Sequence, residues 1–547
     1  MKFQKLFLGF IFAFATQFTQ AQEVNRPKLV VGIVVDQMRW DYLYRFQDRY
    51  SPGGFKRLLN EGFTYENTYI DYIPTYTAIG HSSIYTGSVP AIHGIAGNDF
   101  IIQATGESMY CTQDDSVESV GTTNKNGKMS PRNLLASTVT DQLKLATNFR
   151  SKVYGISIKD RGGILPAGHF GDAAYWLDGE TGKWISSTFY MKTLPKWINQ
   201  LNDSKFADKY LKEWNTLYPK NTYVNTDQEG YEYKGLFKGE KKADFPKNLA
   251  QLKKENGYDL IKVTPYGNTI TAELAQALIE NEKLGQNKPG ITDFLAISFS
   301  ATDYIGHHYS INTTEIEDTY LRLDQDLAKF FTFLDQKVGK GEYLVFLTAD
   351  HGAAHNPKYI TDHKGNGGYF QSKETRDQLN TALEQEFGVS NLVRSLTNYQ
   401  AHLNYPIIES NKIDEIKLKD AIVRELQKHP VISFAVDVER IGMYSVPSLL
   451  KERIVNGYHN KRSGAVQYIL NPQWYSGKQN SPGTTHGSWN SYDSHIPFVM
   501  MGWGVKHGKS YKTVNMTDIA PTLSSLLKIE APNGSIGQAQ TESFSEQ

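Results

Sequence analysis

The chain has 547 residues, 39% of them hydrophobic, which supplies a sizeable core and excludes a disordered chain. Lysine plus arginine and aspartate plus glutamate stand at 58 each, so no general attraction to nucleic acid or anionic lipid is expected and any anion site must be local. At roughly 150 residues per domain the length suggests two to four domains, or one large α/β body with insertions.

In chain order, the first element is a processing signal. Lys2 and Lys5 precede an apolar stretch from Leu6 to Ala15, and Thr19 and Ala21 fit the small-residue positions of a cleavage site. Residues 1–21 therefore read as a signal peptide, the mature chain (22–547) starting near Gln22. An apolar run of about 10 residues is well short of the roughly 20 that span a bilayer, so no stable membrane insertion is expected. The destination is the periplasm or the medium. Cys111 is the only cysteine. No disulfide can form within the chain, and a metal site must be built from Asp and His rather than thiolates.

Five apolar runs read as buried strands: Leu29 to Val35, ending at Asp36; Val153 to Ile158, leading into Lys159; Phe294 to Phe299, leading to Asp303; Tyr343 to Leu347, leading to Asp350; and Ile496 to Met501, running on to Gly502. Near-continuous apolar strands suit a sheet covered on both faces. Ile316, Tyr320, Leu323, Leu327, Phe330 and Leu334 step by four and three, a core-facing helical stripe. Ala272 to Glu282 and Met516 to Ile529 also read as helices. The alternation predicts an α/β fold with a mostly parallel sheet and helices on both faces, in which ligands bind beyond the carboxyl ends of the strands. Two stretches break the rhythm, about 171–265 and about 356–485. The second includes a helix from Ile413 to Gln427 and a strand around Val431 to Val436. Both read as insertions above the strand ends.

Three strand ends carry carboxylates on one expected edge of the sheet: Asp36, the Asp303-Tyr-Ile-Gly-His307 segment, and Asp350-His351-Gly352. A distant His486-Gly487 follows the second insertion. Carboxylate and imidazole together suit zinc, and strand-end ligands are rigid. Taken singly each is weak, since an Asp after a strand is more often a cap or turn residue. The combination carries the argument.

The segment from Asp71 to Gly87 holds several hydroxyls, and Thr75, Thr77, Ser82 and Ser83 are all possible nucleophiles. Small and helix-compatible residues follow Thr77. Thr77 can therefore sit at a helix N-terminus, where free N–H groups and the dipole favour an anion. Simple helix capping explains the same hydroxyls.

Longer stretches add a family resemblance. RPKLVVGIVVDQMRWDYLY, TAIGHSSIYTGSVPAIHGIAGND, SPRNLLASTVTDQLKLATNF, SIKDRGGILPAGH, ATDYIGH, LVFLTADHGAAH and GTTHGSWNSYDSHIPFVMMGWG are similar to the alkaline phosphatase superfamily. Within it they most resemble the phosphate-insensitive, PafA-type alkaline phosphatases of Bacteroidetes, over nearly all the mature chain. The resemblance implies two zinc ions per chain. Asp36, Asp350 and His351 would hold one, which also binds the Thr77 oxygen; Asp303, His307 and His486 would hold the other. Thr77 would form a covalent phosphothreonine, and Asn98, Lys159 and Arg161 would contact the transferred phosphoryl oxygens. His308 is outside the family pattern. The implied activity is hydrolysis of a broad range of small phosphate monoesters by a monomeric enzyme.

The chemistry of these residue types agrees. A threonine hydroxyl is a poor nucleophile until a metal lowers its pKa, and two metals make a clamp for in-line displacement. Phosphoryl transfer needs positioning and charge neutralisation. Lys159 and Arg161 flank Asp160, so an extended chain there would aim both cations one way. A phosphodiesterase or nucleotide pyrophosphatase on the same scaffold is the alternative. It would share the metal ligands and Thr77, and the two cations favour the more highly charged monoester. A sulfatase lacks support, because no Cys/Ser-x-Pro-x-Arg sequence lies near Thr77. A secreted metal-binding protein without turnover has no need of the nucleophile and phosphate contacts.

Overall fold

In a computed structural model, residues 24–224 and 231–545 are described; the signal-peptide reading of residues 1–21 lies outside them. The frame is an eleven-stranded sheet. Its middle is parallel and runs in the order Tyr343–Thr348, Leu29–Val35, Asp293–Phe299, Val153–Ser157, Ala173–Asp178. The first four of these strands are fully buried along their length, as their unbroken apolar sequences require of a sheet covered by helices on both faces.

Register decides which residues meet at the edge. Val35 pairs with Phe299 and Val34 with Thr348, so three neighbouring strands end level. Asp36 is the next residue after the first of them, and its N–H donates to the Phe299 carbonyl at 3.0 Å. The helix Ala301–Tyr309 starts immediately beyond Phe299 and carries Asp303 and His307 four residues apart, on one face.

The Ile496–Met501 run behaves differently from the other four. It forms a short pairing at His495–Ile496 and then the strand Phe498–Gly502, which lies antiparallel to Tyr343–Thr348. Its carboxyl end therefore points away from the site. The expected helices form as Tyr266–Glu282, Thr314–Leu334 and Ile519–Leu526, the last preceded by a single tight turn at Met516–Asp518.

Within 171–265, the strands Ala173–Asp178 and Lys183–Ser187 extend the main sheet instead of rising above it. Within 356–485, a separate four-stranded sheet forms in the order Val393–Thr397, Gln400–Leu403, Val466–Leu470, Ile432–Asp437. It packs with the helices Ser372–Phe387 and Glu415–Gln427 around its own apolar cluster, which includes Leu383, Leu418, Ile422 and Val466. Its first turn reaches back to the body, where Asn398 Nδ2 donates to the Asp99 carbonyl at 2.8 Å.

Candidate active site

The nucleophile candidates sit on a helix pressed against the strand ends. Thr77 is the first residue of the helix Thr77–Thr86, with Tyr76 extended before it. Close approach depends on Gly80, where a Cβ would lie 2.4 Å from the Asp350 carbonyl oxygen. No other residue type lets this helix touch the Asp350 backbone. Thr77 Oγ1 is 3.3 Å from His351 Nε2. Of the four hydroxyls, this is the one that touches a residue of the Asp/His clusters. Thr75 Oγ1 donates to the Ser488 carbonyl and accepts from Gly487 N, Ser83 pairs with His93, and Ser82 Oγ is buried without a partner among the described residues.

Two groups of potential ligands form, each with its atoms within 4.8 Å of one another: Asp36, Asp350 and His351, and Asp303, His307 and His486. They fit metal ions on three counts. First, every histidine engages Nδ1 with a backbone carbonyl. His351 bonds to Gly352 at 2.9 Å, His307 to Thr484 at 2.7 Å and His486 to Thr75 at 2.6 Å. This fixes the tautomer and leaves Nε2 as the lone-pair atom in each. Second, among the described residues, buried Asp36 Oδ1 and Asp350 Oδ2 meet nothing closer than imidazole nitrogens at 3.3–3.7 Å, which is costly unless a cation meets them. Third, three buried carboxylates face only one lysine here. Lys159 Nζ lies 2.7 Å from Asp36 Oδ2 and 2.5 Å from Asp303 Oδ2, bridging the two groups.

The electrostatics follow from this crowding. Burial, reinforced by Asp350 and Asp303, pushes the Asp36 carboxyl up to about 8 against the pull of Lys159. Asp303 is also penalised by burial, but His307 and Lys159 hold it well below the usual carboxylate range. Burial, then His351, keep His486 well below the ordinary histidine value and therefore neutral, as a ligand must be.

Two of the phosphate-contact candidates, Asn98 and Lys159, touch the Thr77 helix and the carboxylates respectively. Asn98 Oδ1 accepts from Ala78 N at 2.9 Å, capping the Thr77 helix and leaving the amide N–H groups as donors. Extended backbone holds at Lys159 but not at Arg161. Lys159 is the N-cap of the helix Asp160–Ala167, and Arg161 lies in its first turn. Lys159 is only 3% exposed and turned onto the carboxylates, whereas Arg161 reaches Tyr110, its Nη1 donating to the phenol oxygen at 2.9 Å. His308 turns the other way. It stacks on Phe237, ring centroids 4.7 Å apart, under the first insertion.

A family model for type I phosphodiesterases / nucleotide pyrophosphatases matches residues 30–493. Alkaline phosphatase PafA of Elizabethkingia meningoseptica is 49% identical over 95% of this chain and 96% of its own. The chain belongs to this family, within the alkaline phosphatase superfamily. This alkaline phosphatase is also 63% identical, over 94% of each chain, to a Myroides odoratus protein named calcium-transporting ATPase. Crystal structures of PafA, the wild type and a variant altered at one threonine, one asparagine, one lysine and one arginine, superpose with a TM-score of 0.92 over 95% of this chain and all of theirs. Among the described residues, no helix of this alkaline phosphatase is long and apolar enough to cross a membrane.

Several residues around the site carry no signal in the sequence. Gln37 has left-handed backbone (φ 65°); its N–H donates to Asp350 Oδ1 at 3.1 Å and its side-chain amide to Asp303 Oδ1 at 2.7 Å, tying one ligand group to the other. His81 is fully buried, with Nδ1 3.3 Å from Asp350 Oδ2 and Nε2 2.8 Å from Ser298 Oγ. The Thr302 hydroxyl donates to the Asp36 carbonyl at 2.5 Å. Gln37 adjoins the strand-end aspartate and His81 lies one helical turn after Thr77, so proximity in sequence is the only clue to either.

Proposed function

We propose that this alkaline phosphatase hydrolyses a broad range of phosphate monoesters outside the cytoplasm, using two zinc ions and a covalent phosphothreonine at Thr77. The observation that carries the reading is the contact of Thr77 Oγ1 with His351 at a helix N-terminus, beside two Asp/His groups and a buried Lys159. Asp36, Asp350 and His351 would hold one ion and Asp303, His307 and His486 the other. Neutral imidazoles with carboxylates are a donor set suited to zinc. When bound, the ions supply Lewis acidity that lowers a hydroxyl's pKa and offsets phosphoryl charge.

The chain's own residues do the rest. Thr77 Oγ forms a bond to phosphorus as the bond to the leaving oxygen breaks; its proton passes to solvent, and the leaving oxygen takes one from solvent to depart as the alcohol. Water then cleaves the phosphothreonine, releasing inorganic phosphate and restoring the hydroxyl. The Asn98 amide, Lys159 and Arg161 hold the phosphoryl oxygens through the reaction. The altered PafA supports these assignments: the changed threonine and asparagine are 21 positions apart and the lysine and arginine two apart, the spacings of Thr77 and Asn98 and of Lys159 and Arg161 here.

The family description favours a second reading, cleavage of diesters and pyrophosphates. ATP separates the two. A monoesterase removes the terminal phosphate, giving ADP and inorganic phosphate, which also accords with a relative named an ATPase. A nucleotide pyrophosphatase gives AMP and pyrophosphate. Turnover of p-nitrophenyl phosphate that stops with chelator and returns with zinc, and phosphate as the first product from ATP, are the expected results. Pyrophosphate as the first product, or bis-p-nitrophenyl phosphate as the better substrate, would overturn the monoesterase reading.

A further inference from the structure

Arg161 lines a cleft of about 310 Å³ with Tyr110, Lys159, Trp176, Lys262 and Tyr304. An arginine side chain is long and rotamer-rich, so its use against a small phosphoryl group depends on what orders it beforehand. Among the described residues, one neighbour does so by hydrogen bond. Tyr110 Oη accepts from Arg161 Nη1 at 2.9 Å and donates to Asp160 Oδ1 at 2.6 Å. Asp160 Oδ1 in turn accepts from the backbone N–H of Arg161 itself, closing a ring of three residues. Arg161 Nε remains buried and has no partner among the described residues.

The phenol is held from behind as well. Tyr110 ends the hairpin Asp99–Ile101/Ser108–Tyr110, in which Asp99 pairs with Tyr110, and the N–H of Cys111 donates to the Asn98 carbonyl at 2.8 Å. The side chain of the same Asn98 caps the Thr77 helix. One hairpin thus fixes Asn98 and the tyrosine that touches Arg161, and joins both to the nucleophile's helix. Burial, foremost, pushes the Tyr110 phenol well above its usual value, so it remains protonated and keeps both hydrogen bonds.

We infer that Tyr110 is a positioning residue for Arg161, holding the guanidinium where it meets the transferred phosphoryl group through the closed Arg161–Tyr110–Asp160 ring. The inference rests on the monoesterase reading above, in which Arg161 binds that group.

The test is a double-mutant cycle of Tyr110→Phe and Arg161→Ala, measured as kcat/KM for p-nitrophenyl phosphate and for bis-p-nitrophenyl phosphate, with metal content checked in each variant. Loss of one hydrogen bond to a charged group corresponds to about a 10-fold fall in monoester kcat/KM for Tyr110→Phe, with the diester changed by less than about twofold. In the Arg161→Ala background the same substitution should cost the monoester less than about twofold. A merely structural tyrosine would lower both substrates in both backgrounds, and that result would overturn the inference. So would wild-type monoester turnover in Tyr110→Phe when Arg161→Ala alone is impaired, since Arg161 would then be ordered without the phenol. An Arg161→Ala enzyme with an unchanged monoester-to-diester ratio would instead remove Arg161 from the phosphoryl group, overturning the underlying reading and this inference with it.

Discussion

The imidazoles of His351 and His486 stack face to face, centroids 3.4 Å apart and 12° from parallel, although they belong to different ligand groups. His351 Nε2 lies 3.5 Å from Asp350 Oδ2, and His486 Nε2 lies 3.6 Å from Asp303 Oδ1. The two ligand groups thus share one wall. Each ring is anchored by its other nitrogen to a separate loop carbonyl, so neither half-site can move without disturbing its neighbour.

That shared wall sets the expected response to metal loss. Chelation should abolish turnover, and zinc should restore it better than magnesium, which prefers oxygen ligands. His486→Ala should leave a metal content of about one ion per chain, because a site with three protein ligands tolerates losing one poorly. Undiminished zinc in that variant, measured by elemental analysis, would exclude His486 as a ligand. The metal-free wild type should also melt at a lower temperature, since ions that bind only the folded chain stabilise it and the chain has a single, buried cysteine and no disulfide.

Thr77→Ala should abolish phosphomonoester turnover while leaving the metal content unchanged. Among the described residues, the hydroxyl's hydrogen-bond contact is His351 Nε2, whereas the Asp and His side chains make the ligand groups without it. Mass spectrometry of the acid-quenched wild type should find the phosphoryl group on the peptide containing Thr77. A label on Ser82 or Ser83, or turnover surviving in the variant, would reassign the nucleophile.

The strand ends are legible in the sequence because a parallel sheet buried on both faces writes unbroken apolar runs, and the residue that stops each run is conspicuous. Asp36 and Asp350 stand out in this way, and the four-residue spacing of Asp303 and His307 adds a shared helix face. Strand direction is not legible. The run ending at Met501 is as apolar as the others yet is antiparallel, because hydrophobicity carries no polarity along the chain. Nor does local sequence reveal that Lys159 caps a helix, since its extended backbone gives way to αR geometry only at Asp160. Gln37, His81 and Tyr110 act through contacts with residues far along the chain, so no spacing rule finds them.

Asp326 offers a stability test away from the site. It is 7% exposed on the helix Thr314–Leu334, accepts from Thr269 Oγ1 at 2.7 Å, and has Lys329 Nζ at 3.9 Å. Burial is the main cause that raises its carboxyl from 3.8 to about 6; Glu273 adds to it, and the Thr269 hydroxyl, Lys329 and Arg322 oppose it. A carboxyl with a raised folded-state pKa contributes stability that is complete below its unfolded value and lost as pH rises through the folded value. That rise corresponds to about 2–3 kcal/mol. Asp326→Asn does not titrate, so its stability relative to the wild type in the same metal state should improve by about that much from pH 4 to pH 7. Denaturant titrations at the two pH values measure it. A constant difference would mean that Asp326 titrates alike in the folded and unfolded chains.

Replacing Lys159 and Arg161 together by alanine should hurt monoesters far more than diesters. A monoester dianion presents three oxygens whose charge needs neutralising in the transition state, while in a diester one of them is blocked. Each lost charge-assisted hydrogen bond costs about 1.5–3 kcal/mol, so the pair should lower monoester kcat/KM by roughly 10² to 10⁴-fold if the losses nearly add. Lys159 complicates the comparison, because its ammonium also bridges Asp36 and Asp303. Its removal leaves the buried carboxylates less compensated and should strengthen metal binding if it changes it at all. A loss of activity caused by metal depletion is therefore the wrong sign for this variant, and elemental analysis excludes it directly. The ratio of the two kcat/KM values cancels any general loss. An equal fall for both substrates would place the two cations on shared binding or on the scaffold, and the preference for monoesters would then need a different origin in the site.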